Sequence, residues 1–138
     1  IQVSEIGPDT AIMLKQKIDD GEWVVIVADR TPLHMKKSAV DVDFLGDKAA
    51  FPQGPFVLAS LMKCPVYLMF GLNEKDGLKI YFEFLSEPLV LPRTGRVEYL
   101  HSIVQNFADR LAYHCVNAPL DWFNFFDFWK GQNEKDKT

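Results

Sequence analysis

The sequence predicts an α/β fold in which a mixed, mainly parallel sheet is flanked by helices. The candidate elements follow one another in the order helix, strand, strand, helix, strand, strand, helix, which is typical of α/β domains. The first candidate strand, residues 22–30 with the sequence EWVVIVADR, is a continuous apolar run. Such a run is typical of a strand that is buried on both faces, as in parallel sheets. The length of 138 residues indicates a single domain.

The composition is globular and argues against a nucleic-acid partner. Apolar residues make up 48% of the chain and charged residues 25%, which is an ordinary balance. The net charge is −4, whereas neutralising phosphates requires clustered Lys and Arg. Cys64 and Cys115 have no metal or redox spacing and are predicted to be buried thiols. No run of 18 apolar residues predicts a membrane span, and no metal or cofactor is predicted.

The first half of the chain is predicted to contain two helices and two strands. A helix begins near Pro8 and ends at Gly21, which suits the left-handed conformation of a helix end. After the strand over 22–30 and a polar loop, Val40 to Phe44 alternate strictly between apolar and acidic residues, as in a strand with one wet face. Residues 45–55 are predicted to be a second loop. A largely apolar helix follows over residues 56–63.

The second half is predicted to contain a hairpin, a long helix and an aromatic segment. Residues 66–72 and 78–85 flank the turn signal NEKDG, which predicts a β-hairpin. A helix over residues 96–116 follows. Its predicted buried stripe comprises Val97, Leu100, Val104, Phe107, Leu111 and Cys115. The aromatic segment, residues 120–129, reads LDWFNFFDFW and precedes a solvated tail over residues 130–138.

Asp29 and Arg30 are the first candidate site because they end the first predicted strand. Ligands of open α/β sheets gather at the carboxyl ends of strands, where an acid–guanidinium pair can fix a polar substrate or orient a catalytic group. The alternative is a structural ion pair that closes the strand.

Other polar residues of the first half are weaker candidates. Lys36 and Lys37 can meet a phosphate, an anionic lipid surface or an acidic carrier protein, or they can belong to a solvated loop. His34 beside them is a candidate base, although a lone loop histidine is more often only exposed. Asp41 and Asp43 can act as paired carboxylates, but such alternation is usually the wet face of a strand.

Three stretches resemble a known family: GEWVVIVADRTP, VDVDFLGDKAAFPQGPFVLASLMKCPVYLMF and APLDWFNFFDFW. They are similar to the C-terminal half of the bacterial lipid A biosynthesis acyltransferases of the lauroyl/myristoyl type. These belong to the broader glycerol-phosphate and lysophospholipid acyltransferase superfamily. The resemblance extends from about Thr10 to Trp129, and its most specific parts are FLG…FPQGP and the final P-x-x-W-F-x-F block.

The resemblance implies transfer of a fatty acyl group from a carrier thioester to a hydroxyl or amine of a membrane lipid or glycolipid. The catalytic centre of the family is a His followed four residues later by Asp or Glu. Ser38, Gln105 and Ala118 stand at that offset from the three histidines of this chain, so no catalytic residue is assigned here. Residues 1–129 are therefore expected to be the C-terminal part of an acyltransferase domain cut at Ile1. That fragment is expected to be inactive alone.

The resemblance also implies substrate-binding residues and partners. Asp29 is expected to stand where the superfamily has the acid of its acceptor site, with Arg30 as a positive group. Lys36, from the loop after them, is also assigned to substrate binding. Gly54 and Phe56 are expected to shape the wall of that site. The expected acyl donor is acyl carrier protein or acyl-CoA, and the expected location is peripheral, on the cytoplasmic face of the bacterial inner membrane.

The aromatic segment is expected to meet either a membrane surface or the missing half of the enzyme. The residues assigned to this contact are Trp122, Phe123, Phe126 and Trp129. A densely aromatic core cap is the alternative. If the rings lack a partner, the isolated chain is expected to self-associate. Two other functions stay open: a non-catalytic lipid-binding or scaffolding module, and a hydrolase-like enzyme that uses His34 with Asp29.

Overall fold

A computed structural model of the chain describes residues 8–30, 39–124 and 128–129. The elements are α1 (Pro8–Asp19), β1 (Ala39–Phe44), β2 (Asp47–Pro52), α2 (Gly54–Met62), β3 (Val66–Glu74), β4 (Gly77–Ser86) and α3 (Arg96–Asn117). The predicted α/β class is confirmed. The strands described form two separate antiparallel pairs, β1 with β2 and β3 with β4. No parallel pair occurs among them, so the mainly parallel sheet stays a prediction.

The β1–β2 hairpin revises the prediction for residues 45–55. The predicted strand over residues 40–44 is confirmed as β1, but the loop predicted after it contains β2. A two-residue turn joins the strands, with φ of 53° at Leu45 and 94° at Gly46. Two positive φ angles in succession match the twist of antiparallel strands. Ala49 and Phe51 of β2 are both buried in the core. The Leu-Gly sequence of the turn is an uncommon signal for a hairpin, which is why the hairpin was not predicted.

The predicted β3–β4 hairpin and the long helix are both confirmed. Leu68 of β3 and the buried stripe of α3 belong to the main core, which also contains both strands of the first hairpin. Val97 is the exception in the predicted stripe because it lies in the first turn of α3 and is 75% exposed. A smaller core forms where α1 packs on α2, around Leu14, Leu58 and Met62.

The strand predicted over residues 22–30 is wrong. Residues 22–28 are neither helix nor strand, and no backbone ladder joins them to the described strands. Trp23, Val25 and Val27 are more than 70% exposed, whereas Val24 and Ala28 pack against the two cores. Without a neighbouring strand and a second covering layer, only one side of this apolar run has protein to pack against.

Candidate functional site

A large cavity of about 740 Å³ lies between residues 22–29, α2, β3 and α3. Its wall is mainly apolar and includes Ile26, Ala28, Ala59, Leu68, Met69 and Phe107. Polar groups are few, the main ones being Asp29, His114 and Asp121. A cavity of this size, with an apolar wall and a small number of polar groups, is typical of sites for small organic ligands. We refer to it below as the large cavity.

Asp29 lies in the wall of the large cavity and is tied to the C-terminal segment. The indole Nε1 of Trp122 donates a hydrogen bond of 3.2 Å to Asp29 Oδ2, and Arg30 Nε donates to the same oxygen at 3.3 Å. Arg30 Nη2 also donates to the carbonyl oxygen of Phe123 at 2.6 Å. The Asp29–Arg30 pair therefore joins residues 22–30 to the beginning of the aromatic segment, and these bonds fix the carboxylate in the wall of the cavity.

Cys115 is a candidate nucleophile in the wall of the large cavity, but its environment keeps the thiol protonated. Its side chain is buried in the cavity wall. Burial, together with the negative charge of Asp29, raises the pKa of the Cys115 thiol to about 11. Because the thiolate is the reactive form, Cys115 is unreactive at neutral pH. The prediction of buried thiols is therefore confirmed for Cys115 and wrong for Cys64, which is only partly buried.

Phe56 and Gly54 occupy different positions relative to the cavity. Phe56 is 3% exposed, lines the cavity and contacts Phe107 with ring centroids 5.8 Å apart. Gly54 begins α2 and does not line the cavity. A Cβ atom added to Gly54 would meet nothing within 4 Å, so no close approach of backbone explains this glycine.

Two of the remaining predicted residues, Asp41 and Asp43, do not line the large cavity with Asp29. Four others, Lys36, Lys37, His34 and Phe126, lie outside the described residues. Asp41 and Asp43 are both exposed on β1, where Asp43 pairs with Lys48 at 2.7 Å. In the ranges that the structure describes, no group of three or more His, Cys, Asp or Glu side chains could hold a metal ion.

The aromatic segment is divided between core and surface. Trp122 and Trp129 are half-buried and pack against Phe44, with ring centroids 5.3 and 6.1 Å away. Phe123 is 59% exposed, although its carbonyl oxygen accepts the bond from Arg30. Residues 118–124 form turns and bends rather than a helix. The rings described are thus placed by irregular backbone, so their spacing in sequence does not determine one face.

A partly buried polar cluster was missed by sequence reasoning. Arg110 binds Glu83 through two bonds, Nε to Oε2 at 2.6 Å and Nη2 to Oε1 at 2.8 Å. The Nε2 of His114, a residue that is 3% exposed, lies 2.8 Å from Glu83 Oε1. Hydrogen bonds from Arg110, reinforced by His114, hold the pKa of Glu83 down at about 2 despite partial burial. The available signal was Arg110 and His114 one helical turn apart on α3. Glu83 itself shares its face of LKIYFEFL with Lys79 and Tyr81, so the alternation alone suggests a wet face rather than a packed one.

The helices that the structure describes do not include one long and apolar enough to cross a membrane.

The sequence of the chain is similar to those of known acyltransferases. Residues 10–131 match the family described as bacterial lipid A biosynthesis acyltransferase. The chain is also 27% identical, over 119 residues, to a phosphatidylinositol mannoside acyltransferase from Mycolicibacterium smegmatis (strain ATCC 700084 / mc(2)155). The matched region is 85% of this chain but 35% of the relative, so the chain spans about a third of the length of that protein.

Proposed function

The chain belongs to the bacterial lipid A biosynthesis acyltransferase family, and from this premise we propose that it forms part of a lipid acyltransferase. The complete enzyme moves a fatty acyl group from a carrier thioester to a hydroxyl or amine of a membrane lipid or glycolipid. Acyl carrier protein or acyl-CoA is the proposed donor. The catalytic His-x4-Asp/Glu pair, which does not occur in this sequence, is proposed to come from a part of the enzyme outside these 138 residues.

The large cavity is the observation that carries this proposal. Its volume of about 740 Å³ and its apolar wall suit a fatty acyl chain, because each buried methylene contributes about 0.8 kcal/mol of favourable transfer free energy. The Cys115 thiol stays neutral there and does not compete as an acyl acceptor. The proposed role of the cavity is therefore to hold the acyl chain and to exclude water from it.

Asp29 is proposed to orient the polar end of the substrate. It combines a carboxylate, fixed by Trp122 and Arg30, with a position in the wall of the apolar cavity. A carboxylate held in this way can accept a hydrogen bond from the hydroxyl or amine of the lipid acceptor. Arg30 holds the carboxylate and the Phe123 carbonyl together, so its proposed role is to position Asp29 rather than to contact the acceptor.

A peripheral location on the cytoplasmic face of the bacterial inner membrane is proposed for the complete enzyme. Trp23 and Phe123 are both more than half exposed, and rings of this kind suit a membrane interface. The mainly parallel sheet is likewise proposed for the complete enzyme.

The decisive experiment is an acyl-transfer assay of the complete enzyme with Asp29→Ala beside wild type. We expect kcat/KM to fall at least tenfold, because a positioned hydrogen-bond partner of the acceptor is lost. Asp41→Ala is the matched control, since it removes an exposed carboxylate that does not line the large cavity. Equal activity of the Asp29→Ala enzyme and wild type would show that Asp29 does not orient the acceptor. The 138-residue chain alone is expected to show no transfer.

A second experiment tests the cavity itself. Ala59 of α2 lines the large cavity, and Ala59→Phe should shorten the acyl chain that the complete enzyme prefers. Leu61→Phe enlarges an exposed residue of the same helix and should leave the preference unchanged. A chain-length profile unaltered by Ala59→Phe, in an enzyme that remains folded, would show that the acyl chain lies elsewhere.

A non-catalytic lipid-binding module is the second candidate function. It is favoured by the combination of an apolar cavity with the absence of a His-x4-Asp/Glu sequence in this chain. This module would bind fatty acid as an isolated 138-residue chain, and it would not transfer acyl groups in any longer form of the protein. Transfer by the complete enzyme therefore excludes the second candidate.

A further inference from the structure

Residues 121–123, which follow the long helix α3, connect two walls of the large cavity. One wall is β3, and the other is the segment over residues 22–29. Among the described residues no backbone ladder joins these walls, so they are connected through side chains. Asp121 and Trp122 also line the cavity themselves. We refer to residues 121–123 as the clamp.

The clamp is bound to β3 through Asp121. Its carboxylate accepts two bonds from Asn73, one from the backbone N–H to Oδ2 at 2.6 Å and one from the side-chain Nδ2 to Oδ1 at 3.0 Å. These bonds, from the side chain and the backbone of Asn73, lower the pKa of Asp121, so the carboxylate is ionised at neutral pH. Two bonds from one residue fix the orientation of the carboxylate as well as its distance from the strand.

The clamp is bound to the other wall through Trp122 and Phe123. Trp122 Nε1 donates to Asp29 Oδ2, and Arg30 joins the same oxygen to the Phe123 carbonyl. The ring of Trp122 is held in turn by Phe44 of the core, with ring centroids 5.3 Å apart. Both bonds to Asp29 use Oδ2, and no bond between described residues uses Oδ1. The clamp therefore holds one oxygen of the carboxylate and leaves the other uncommitted.

Stability alone does not account for a carboxylate at this place. The Asp29 side chain is only 21% exposed and lies in a mainly apolar wall. Withdrawing a carboxylate from water costs free energy that its partners return only in part, and apolar packing at such a site is often equally stabilising. A carboxylate that is held by one oxygen in an apolar cavity is better explained by contact with a ligand.

We propose that Asp121 and Trp122 are positioning residues, which place the Asp29 carboxylate for the acyl acceptor at a fixed distance from β3. The proposal deepens the proposed function and rests on it for the role of Asp29. Because β3 lines the cavity that holds the acyl chain, the clamp fixes the acceptor relative to that chain. A displacement of about 1 Å between reacting groups can cost roughly a hundredfold in rate.

The test is a double-mutant cycle in the complete enzyme, measured by steady-state acyl transfer. Trp122→Phe keeps an aromatic ring beside Phe44 but removes the N–H that binds Asp29. We expect kcat to fall about fivefold at an unchanged KM for the acyl donor, because the apolar wall remains. In an Asp29→Ala background, Trp122→Phe should cause no further loss, since the group that it positions is absent.

Asp121→Ala tests the connection to β3 separately. It should lower kcat about threefold and, like Trp122→Phe, should have no further effect in the Asp29→Ala background. Asp109→Ala is the matched control and should leave activity unchanged. Asp109 is an exposed aspartate that also accepts a hydrogen bond, from Gln105, but it does not line the large cavity.

Trp129→Phe is the control for the loss of an indole. Trp129 also packs against Phe44, but its Nε1 has no hydrogen-bond partner among the described residues. Its effect on kcat should therefore be the same in the wild-type and Asp29→Ala backgrounds, and melting temperatures show that each variant is folded.

Two results would overturn the proposal. One is an equal proportional loss from Trp122→Phe in both backgrounds, and the other is wild-type kcat in folded Trp122→Phe and Asp121→Ala enzymes. Either result, beside a loss of activity in Asp29→Ala, leaves the proposed function standing. Wild-type activity in Asp29→Ala would contradict the proposed function itself, so the two failures are distinguishable.

Discussion

The molecule contains two aromatic clusters that differ in how much protein covers them. The closed cluster is built from Phe44, Phe51, Phe107, Trp122, Phe128 and Trp129. The open cluster comprises Trp23, Tyr67, Phe82 and Phe84. Phe44 and Phe51 are at most 1% exposed, whereas the rings of the open cluster are 40–71% exposed.

Ring geometry does not distinguish the two clusters. Phe44 and Phe51 meet edge to face at 5.2 Å, and Tyr67 and Phe82 stack at 4.9 Å, both within the favourable range of aromatic pairs. The difference lies in what surrounds the rings: β1, β2 and α3 enclose the closed cluster, whereas β3 and β4 present the open cluster on one face. The closed cluster therefore contributes stability, and the open cluster contributes a surface available for contact.

The largest expected effect is on stability, in the closed cluster. Phe44→Ala should lower the free energy of unfolding by about 3–5 kcal/mol, because it empties a site that four other rings contact. Phe84→Ala in the open cluster should cost less than about 1 kcal/mol. Urea titration measures both. Equal costs for the two substitutions would mean that the clusters are equally covered in solution.

Glu83 tests the contrast between the two faces of β4. It lies between Phe82 and Phe84 in sequence, but its side chain is on the face opposite to the open cluster. Its pKa is about 2 in the folded chain, below its ordinary value of 4.5, so its contribution to stability is present above pH 4.5 and is lost as pH falls towards 2. Glu83→Gln should cost about 2 kcal/mol at pH 7, because bonds to charged Arg110 are lost.

The pH dependence gives the control for this prediction. Thermal unfolding between pH 7 and pH 2 should show a smaller acid loss of stability in Glu83→Gln than in wild type. Glu87→Gln, at an exposed position just after β4, should reproduce the wild-type curve. Parallel curves for wild type and Glu83→Gln would show that this carboxylate is not held by Arg110 and His114.

Self-association of the isolated chain is the expected property of the open cluster. Replacing Phe82 and Phe84 by Ser should shift sedimentation profiles towards the monomer at a given concentration, since it removes the contiguous apolar area of the open cluster. Leu120→Ser is the control because Leu120 is 81% exposed and belongs to neither cluster. A wild-type chain that is monomeric at high concentration would contradict the prediction.

The smallest expected effect concerns the hairpin turn beside the closed cluster. Leu45 holds φ of 53°, which Asn tolerates better than Leu. Leu45→Asn creates the Asn-Gly pair that this turn type favours and should stabilise the chain by about 0.5 kcal/mol. In the β3–β4 hairpin, Gly77 has φ of 116°, so Gly77→Ala should destabilise it. Thermal unfolding of both variants checks the opposite signs.

Elements with an uninterrupted pattern were predictable from the sequence. The strict alternation of β1 and the long apolar stripe of α3 require no knowledge of distant residues. The strand prediction for residues 22–30 failed because an apolar run has the same sequence pattern whether or not a partner strand lies beside it. β2 was missed because Asp47, Lys48 and Pro52 give a loop-like composition around two inward residues.

The site was predictable only in part, for a related reason. Asp29 could be chosen as the polar residue that follows an apolar run. Its bond to Trp122, however, joins positions 93 residues apart, and no local pattern reports such a contact. The same holds for Glu83 with His114, which are 31 positions apart and belong to different elements.

The bond between Asp29 and Trp122 also couples occupancy of the large cavity to the integrity of the whole chain. Asp29 and Trp122 both line that cavity although they are 93 residues apart in sequence, so this part of its wall forms only when the chain folds. A molecule that fills it therefore binds the folded chain and not the unfolded one, and at one hundred times its dissociation constant it adds about 2.7 kcal/mol to the folding equilibrium. An increase in melting temperature on addition of a candidate molecule can therefore be used to screen for the natural ligand of the large cavity.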